Sequence, residues 1–191
     1  LNGKNTLCLM PTGMGKSLTY QVTALTNGKM ALVISPLLAL MEQQSDNLNS
    51  ILEKQNKKAF SFNSNSGNSI KQFNYLRDKF NPPNNPQFLF VSPEKMMLDG
   101  YAEFVLRKHK DNIGLIVIDE AHCVSQWGHS FRPAYKMLPS FFQDIFGDNK
   151  PPILCLTATV NPIDKKEIIT DFNIENVIES GKKPLFLILD Q

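Results

Sequence analysis

The sequence predicts an α/β protein with a mainly parallel central sheet and helices on both faces. Three observations support this prediction: short apolar runs recur along the chain, helical or polar stretches separate them, and several runs end in a hydroxyl or acidic residue. The chain has 191 residues, of which 42% are hydrophobic and 20% charged, as is usual for a globular protein. We therefore expect one domain over residues 1–191.

Six apolar runs are predicted to be strands. They are TLCLM at 6–10, MALVISP at 30–36, KAFSF at 58–62, QFLFVSP at 87–93, LIVIDE at 115–120 and PILCLTAT at 152–159. Parallel strands meet at one edge of a sheet with their carboxyl ends, where α/β proteins bind ligands. We expect a binding surface there, formed by the polar residues that end these runs: Ser35, Ser92, Asp119, Glu120, Thr157 and Thr159.

Helical spacing of apolar residues predicts helices over 15–28 and 37–56, and Asn27 with Gly28 forms a stop signal for the first. A third helix is predicted over about residues 68–80, between two Asn-rich segments that are typical of surface loops.

The overall composition excludes little about partners. A formal charge of +2 argues neither for nor against nucleic acid, because a local basic groove can exist on a nearly neutral protein. No secretory leader or run of membrane-spanning length is found, so no membrane partner is expected. We expect an intracellular protein, cytoplasmic or nucleoid-associated in a bacterium and nuclear in a eukaryote.

The three cysteines, Cys8, Cys123 and Cys155, lie in or beside apolar runs and are expected to be buried free thiols. His122, Cys123 and His129 are of types that bind metals, but their spacing does not match a zinc site.

The segment MPTGMGKS, Met10 to Ser17, lies between a predicted strand and a predicted helix and predicts a phosphate-binding loop. Glycines let successive backbone N–H groups converge on phosphate oxygens at a helix N-terminus. Lys16 would reach the β and γ phosphates of ATP, and Ser17 would donate its hydroxyl oxygen to Mg²⁺. The first glycine of the strict pattern is replaced by Met10. The predicted nucleotide-binding residues are Pro11, Thr12, Gly13, Met14, Gly15, Lys16 and Ser17.

The two acids that end LIVIDE supply the rest of the site. Asp119 is predicted to hold Mg²⁺ together with Ser17, and Glu120 to activate the water that attacks the γ phosphate. His122 follows in DEAH, and we expect it to act in catalysis with Lys16 and Glu120. The alternative is a solvated carboxylate at a strand end.

In their order along the chain, MPTGMGKS, VISPLLALMEQQ, VSPEKMM, DEAHCVSQWGHSFRPAY and LTATV resemble the motifs of the first RecA-like domain of a RecQ-family DNA helicase of superfamily 2. This resemblance covers nearly the whole chain and implies a RecA-like P-loop NTPase fold. It also implies ATP and Mg²⁺ as cofactors, 3′-to-5′ movement on single-stranded or forked DNA, and a second RecA-like domain in cis.

The segment CVSQWGHSFRP resembles the aromatic-rich loop of that family, which couples the nucleotide site to DNA. Trp127 and Phe131 offer flat faces for base stacking, and Arg132 can pair with a phosphate. Gln126 and His129 can sense the γ phosphate through hydrogen bonds. We also expect Gln126 to act with the catalytic residues. The alternative is that both aromatic residues pack in the core and Arg132 forms a structural ion pair.

The resemblance also implicates further residues in DNA contact or coupling: Ser35, Leu37 and Gln44 of SPLLALMEQQ, Ser92, Pro93 and Glu94 of SPEKMM, and Thr157 and Thr159 of TAT. For the apolar residues the alternative is a place in the core of a helix. Capping of the strand end is an equally weighted alternative for the threonines.

The chain departs from the family at Met14, Ser130 and Ala134, where the family often has Gly, Asp and Glu. The loss of the acid at Ser130 bears on the coupling of DNA binding to hydrolysis.

We expect this chain to be a fragment that lacks an upstream adenine-reading segment and the second RecA-like domain, and to be nearly inactive alone. Competing hypotheses are an RNA helicase or duplex translocase of the same superfamily, and a non-catalytic nucleotide-binding scaffold.

Overall fold

A computed structural model of the protein describes residues 3–52, 58–62, 87–98, 100–125, 131–158 and 160–179. The strands in these ranges are β1 (Thr6–Leu9), β2 (Met30–Ile34), β3 (Ala59–Phe62), β4 (Phe88–Val91), β5 (Ile113–Ile118), β6 (Ile153–Thr157) and β7 (Asn176–Glu179). They form one sheet in the order β3-β4-β2-β5-β6-β1-β7, and every pair is parallel.

The six predicted strands are all present, and the predicted α/β architecture is confirmed. β5 begins two residues before the predicted run. The seventh strand, β7, was not predicted, since its four residues NVIE are half-buried or exposed and form no continuous apolar run. It lies at the edge of the sheet and pairs only with β1 among the described strands.

The described helices are α1 (Lys16–Asn27), α2 (Leu38–Leu52), α3 (Pro93–Leu98), α4 (Gly100–His109), α5 (Pro133–Phe146) and α6 (Pro162–Asp171). α1 and α2 match the first two predicted helices. α1 ends where the stop signal predicts, because Gly28 adopts a left-handed conformation (φ 70°) and its N–H bonds to the carbonyl of Ala24. The helix predicted over 68–80 lies outside the described residues.

The helices cover both faces of the sheet, and each face has its own apolar core. Alternate residues of β2 show the division: Ala31 and Val33 pack with α1 and α2, whereas Leu32 and Ile34 pack with α4, α5 and α6. Strands buried on both faces must be apolar throughout, which explains why their runs are continuous instead of alternating.

Cys8, Cys123 and Cys155 are buried free thiols, as predicted. None of the helices in the described ranges is long and apolar enough to cross a membrane.

Candidate active site

The loop between β1 and α1 has the backbone of an anion-binding turn. Gly13 and Gly15 have φ angles of 81° and 84°, a left-handed region that glycine enters without the cost paid by residues with a Cβ. α1 begins directly after Gly15, so the N–H groups of its first turn lie next to this loop, and that of Leu18 donates to the carbonyl of Gly15 at 3.0 Å. The N–H of Met10 donates to the carbonyl of Thr157 at 3.0 Å and anchors the loop to the end of β6. Pro11 and Thr12 are exposed.

Lys16 and Glu120 meet at the center of the site. The Lys16 Nζ lies 3.3 Å from the Glu120 Oε1, and their side chains are only 13% and 22% exposed. The His122 Nδ1 lies 3.2 Å from the other carboxylate oxygen of Glu120. The hydrogen bond from His122, followed by the charge of Lys16, lowers the pKa of Glu120 against the opposing effect of burial. Glu120 is therefore held as an ionised carboxylate between two cationic groups.

Glu120 reaches this position through an unusual backbone. Its φ and ψ angles are 49° and 47°, a left-handed conformation that residues with a Cβ rarely adopt. It directly precedes a short 3₁₀ helix, Ala121–Val124, which turns the chain away from the end of β5.

His122 links the acids to β6. Its Nδ1 lies 3.0 Å from the Thr157 Oγ1 as well as beside Glu120. The Cys123 thiol and the Glu120 carboxylate, both near the ring, raise the pKa of His122 to about 10. The ring is therefore protonated at neutral pH, and a donor at Nδ1 connects the carboxyl ends of β5 and β6.

Asp119 is 8% exposed and held from several sides. Its Oδ1 accepts the N–H of Glu120 at 3.0 Å, and its Oδ2 accepts the hydroxyl of Ser35 at 3.5 Å. The buried hydroxyl of Tyr135 donates to the backbone carbonyl of Asp119 at 2.9 Å. Burial, followed by the charge of Glu120, raises the pKa of Asp119. A nearby cation would favour its ionised form.

These groups fit a magnesium ion held partly by nucleotide phosphates. Mg²⁺ prefers oxygen ligands and is commonly bound by one or two carboxylates together with substrate phosphates. Asp119 offers a buried carboxylate, whose ionised form a cation would stabilise, and Ser17 offers a hydroxyl at the start of α1. In the described ranges no cluster of three or more His, Cys, Asp or Glu residues could hold a metal by itself.

Ser17 is also in contact with α2. The Gln44 Nε2 donates to the Ser17 Oγ at 3.4 Å, and the Tyr20 hydroxyl donates to the Gln44 Oε1 at 2.7 Å. The structure thus places Gln44 against the phosphate-loop helix, and its role in DNA binding stays a prediction. Tyr20 was not singled out from the sequence. Its position three residues after Ser17, on the same side of α1, was the available signal.

Three other predicted DNA-contacting residues are buried in this structure. Ser35, Ser92 and Thr157 are 3%, 5% and 0% exposed. Ser35 contacts Asp119, Thr157 contacts His122, and the Ser92 Oγ accepts the N–H of Lys95 near the start of α3. Each hydroxyl therefore has an internal partner, and direct contact of these residues with DNA stays a prediction.

Arg132 lies at the end of the aromatic-rich segment. The Arg132 Nη1 is 3.3 Å from the Glu94 Oε1 on α3, and the backbone N–H of Arg132 donates to the carbonyl of Cys123. This ion pair is the contact that the structural alternative expected for Arg132. Phe131 is half-buried. The other predicted residues, Gln126, Trp127, His129 and Thr159, lie outside the described residues.

Tyr135 is the most informative residue that sequence reasoning missed. It is fully buried, and its hydroxyl fixes the peptide of Asp119. Its place in FRPAY, close to the acids in sequence, was the only signal available.

Comparison with known proteins shows the family of this chain. The family of DEAD/DEAH box helicases matches residues 1–168. The chain is 36% identical over 182 residues to a Bacillus subtilis protein named ATP-dependent DNA helicase RecQ, with 93% of this chain covered. It is 38% identical over 176 residues to an Acanthamoeba polyphaga mimivirus protein whose name says ATP-dependent RNA helicase, with 88% covered. The chain spans 28% of the length of each relative.

A solved structure shares the fold. The helicase domain of Pyrococcus furiosus Hef superposes with a TM-score of 0.66 at 20% identity, over 93% of this chain and 35% of that one.

Proposed function

The chain belongs to the DEAD/DEAH box helicase family, and from that premise we propose that it is the ATP-binding motor domain of a RecQ-like 3′-to-5′ DNA helicase. In this role it couples the hydrolysis of ATP to movement along single-stranded DNA and to the unwinding of a duplex. Single-stranded or forked DNA and a second RecA-like domain in cis are the proposed partners, and the proposed location is intracellular.

One observation carries this proposal: Lys16 and Glu120, which are 104 positions apart in sequence, lie 3.3 Å apart beside a glycine-containing loop at the start of a helix. A phosphate loop explains the lysine, but nucleotide binding alone does not require an ionised carboxylate beside it. A base that activates water for attack on the γ phosphate does require one.

Each residue has a proposed part. The N–H groups of the loop and the start of α1 bind the phosphates, and Lys16 leaves Glu120 to neutralise the charge that develops on the γ phosphate. Ser17 and Asp119 would hold Mg²⁺, which supplies electrostatic stabilisation of the phosphates when bound. Glu120 accepts the proton of the attacking water, and protonated His122 orients its carboxylate.

We propose that a change at β6 reaches Glu120 through His122. His122 bridges Glu120 and Thr157, and the segment after Thr157 leads to α6. A shift of Thr157 would therefore move His122 and change the position of Glu120. We propose that DNA contact at the carboxyl edge regulates hydrolysis through this bridge.

An RNA helicase is the second candidate, since the mimivirus relative carries that name. The segment QWGHSFRP favours DNA, because it resembles the aromatic-rich loop of RecQ-family enzymes.

The decisive experiment measures phosphate release from ATP by the complete protein with no nucleic acid, with single-stranded DNA and with single-stranded RNA. Trp127→Ala is compared with the wild type under each condition. We expect strong stimulation by DNA, which Trp127→Ala removes while nucleotide binding, measured with a fluorescent ATP analogue, is retained.

Stimulation by RNA alone would identify the second candidate. Absence of Mg²⁺-dependent phosphate release with either nucleic acid would instead indicate a non-catalytic nucleotide-binding scaffold, and the proposed function would be wrong.

A further inference from the structure

The edge of the sheet opposite to the active site carries a row of lysines. In five of the seven strands a lysine lies one to three residues before the first residue of the strand. We call these five residues the lysine row: Lys4 before β1, Lys29 before β2, Lys58 before β3, Lys110 before β5 and Lys150 before β6. All are exposed except Lys150, which is half-buried.

The strand order places these lysines in a line. Along the sheet, the entries of β3, β4, β2, β5, β6 and β1 follow one another, and only β4 begins without a lysine. Neighbouring strands lie about 4.8 Å apart, so the row extends over about 24 Å. Because the lysines come from distant parts of the chain, the line exists only in the folded protein.

The middle of the row is an open groove of about 290 Å³ lined by Lys29, Lys110, Asp111, Ile113, Phe146 and Asn149. The Lys29 Nζ donates to the carbonyl of Asp111 at 3.3 Å, so this side chain lies across the entry of β5. Gly114 makes room for it, since a Cβ at that position would lie 2.6 Å from the Lys29 Cβ. The lysine at the center of the row is therefore held in place by the fold.

Acids only partly balance the row. Asp111 lies before β5, Asp148 before β6 and Glu175 before β7, so the five lysines of the row face three acids in the described segments before these strands. Glu175 stands at the end of the row before β7, and its Oε1 accepts the N–H of Asn5. The excess of positive charge is thus concentrated between the entries of β3 and β1.

We propose that the lysine row binds the phosphate backbone of duplex DNA. A compact anion would need the lysines to converge, whereas a row about 24 Å long matches about seven steps of a duplex at 3.4 Å per step. Lysine contacts to phosphates are the main source of affinity in DNA binding without sequence recognition. This site lies opposite to the carboxyl edge, where the proposed function places single-stranded DNA, and it does not depend on that function.

Other polyanionic partners fit the row less well. Binding to a protein surface uses large aromatic or arginine anchors at the center of the interface, and binding to a membrane surface uses inserted apolar side chains. None of the large exposed apolar side chains of the described residues lies in the strand-entry segments of the row. The row instead combines ammonium groups with exposed amide side chains such as Asn149.

The test compares two double variants of the complete protein with equal changes in charge. Lys29→Ala with Lys110→Ala removes the center of the row, and Lys165→Ala with Lys166→Ala removes two lysines of α6. Binding of a short blunt duplex is followed by fluorescence anisotropy over salt concentrations from about 50 to 200 mM. Thermal unfolding of each variant verifies that it is folded, and Lys110→Ala alone serves if the first double variant is not.

We expect the slope of log K against log salt to become shallower by about 1.8 for the row variant, at about 0.9 per phosphate contact, and to stay unchanged for the α6 variant. Equal slopes and affinities for the folded row variant and the wild type would overturn the proposal. Polyglutamate is tested as a second ligand. A row variant that loses binding to polyglutamate but keeps binding to the duplex would also overturn the proposal, and would indicate an acidic protein partner.

Glu120→Gln separates this proposal from the proposed function. That variant should lose hydrolysis and keep the wild-type salt slope. If the wild-type protein shows no DNA-stimulated hydrolysis, the slope of log K against log salt for duplex binding can still be measured, so the two proposals can fail separately.

Discussion

The charged side chains at the two edges of the sheet differ in burial and in contact with one another. At the carboxyl edge, Lys16, Asp119, Glu120 and His122 are half-buried or buried and contact one another, and their environment shifts the pKa of the last three. At the amino edge, the lysine row is largely exposed and spread over the strand entries. Changes in side chains that contact one another affect their neighbours, whereas changes in side chains that are far apart usually add independently. Catalysis requires the first arrangement, and binding to an extended polyanion requires only the second.

The largest difference is expected when one carboxylate at each edge is made an amide. Glu120→Gln should lower DNA-stimulated phosphate release about 10²- to 10⁴-fold, because the base is lost while its size is kept. Asp111→Asn, the matched change at the amino edge, should leave hydrolysis within about twofold of wild type, since Asp111 is exposed and lies before β5, at the edge opposite to the nucleotide loop. Steady-state phosphate release at saturating ATP measures both. Equal losses would contradict the division of labour between the edges.

Gln87 is expected to be the exception at the amino edge, because it is buried and bonded within the fold. It is 4% exposed, and its Nε2 donates to the carbonyls of Ala24 at 2.6 Å and Lys29 at 2.8 Å. Gln87→Ala leaves both carbonyls without this donor, and we expect it to lower the free energy of unfolding by about 2–4 kcal/mol in urea titrations. The exposed Asn149→Ala is the control, with an expected change below about 0.5 kcal/mol. A Gln87 variant as stable as the control would show that water replaces the amide.

Tyr135→Phe tests how firmly the carboxyl edge is locked. The change removes the hydroxyl that donates to the carbonyl of Asp119 inside the core, and we expect it to cost about 1–2 kcal/mol in the free energy of unfolding. Tyr20→Phe removes a hydroxyl bonded to the Gln44 side chain, which can turn toward another partner, and should cost less. The reverse order of the two costs would refute the proposed support of the Asp119 peptide by Tyr135.

Two histidines should give the two edges different dependences of stability on pH. The pKa of His122, at the carboxyl edge, is raised to about 10 by the Cys123 thiol and the Glu120 carboxylate. Its stabilising contribution should therefore be complete below about pH 6.5 and disappear as the pH rises through about 10. The pKa of His109, before the amino edge, is lowered by burial and then by the charge of Lys108. Its contribution should be complete above about pH 6.5 and be lost as the pH falls through its lowered value.

The measurement is the free energy of unfolding of the wild type, His122→Gln and His109→Gln across this pH range. The difference between wild type and variant should shrink with rising pH for His122 and grow with rising pH for His109. Parallel pH dependences for the two variants would show that the two environments are alike.

The smallest effect is expected for Lys110→Ala. Its side chain is exposed, so the free energy of unfolding should change by less than about 0.5 kcal/mol, while the duplex salt slope becomes shallower by about 0.9. Thermal unfolding and anisotropy on the same preparation check both values. A large loss of stability would show that Lys110 supports the fold, which would contradict its proposed role as a DNA contact only.

The local patterns of the sequence were sufficient for most of the architecture. Continuous apolar runs specify strands that are buried on both faces, and Gly28 specifies the end of α1, because both signals depend on residues close together in the chain. β7 escaped prediction because its strand conformation comes from pairing with β1 and not from an apolar pattern of its own. Lys16, Asp119 and Glu120 could be predicted to share one site because each stands in a short motif at a strand or helix end, and the structure brings Lys16 and Glu120 into contact.

Tertiary structure decided which side chains touch. The contact of His122 with both Glu120 and Thr157, the support of Asp119 by Tyr135 and the placement of Gln44 on Ser17 join residues from different elements, and no local pattern encodes these pairings. The lysine row is the clearest case. The sequence places each lysine before a strand, but the order of strands in the sheet, which depends on long-range packing, aligns them on one edge.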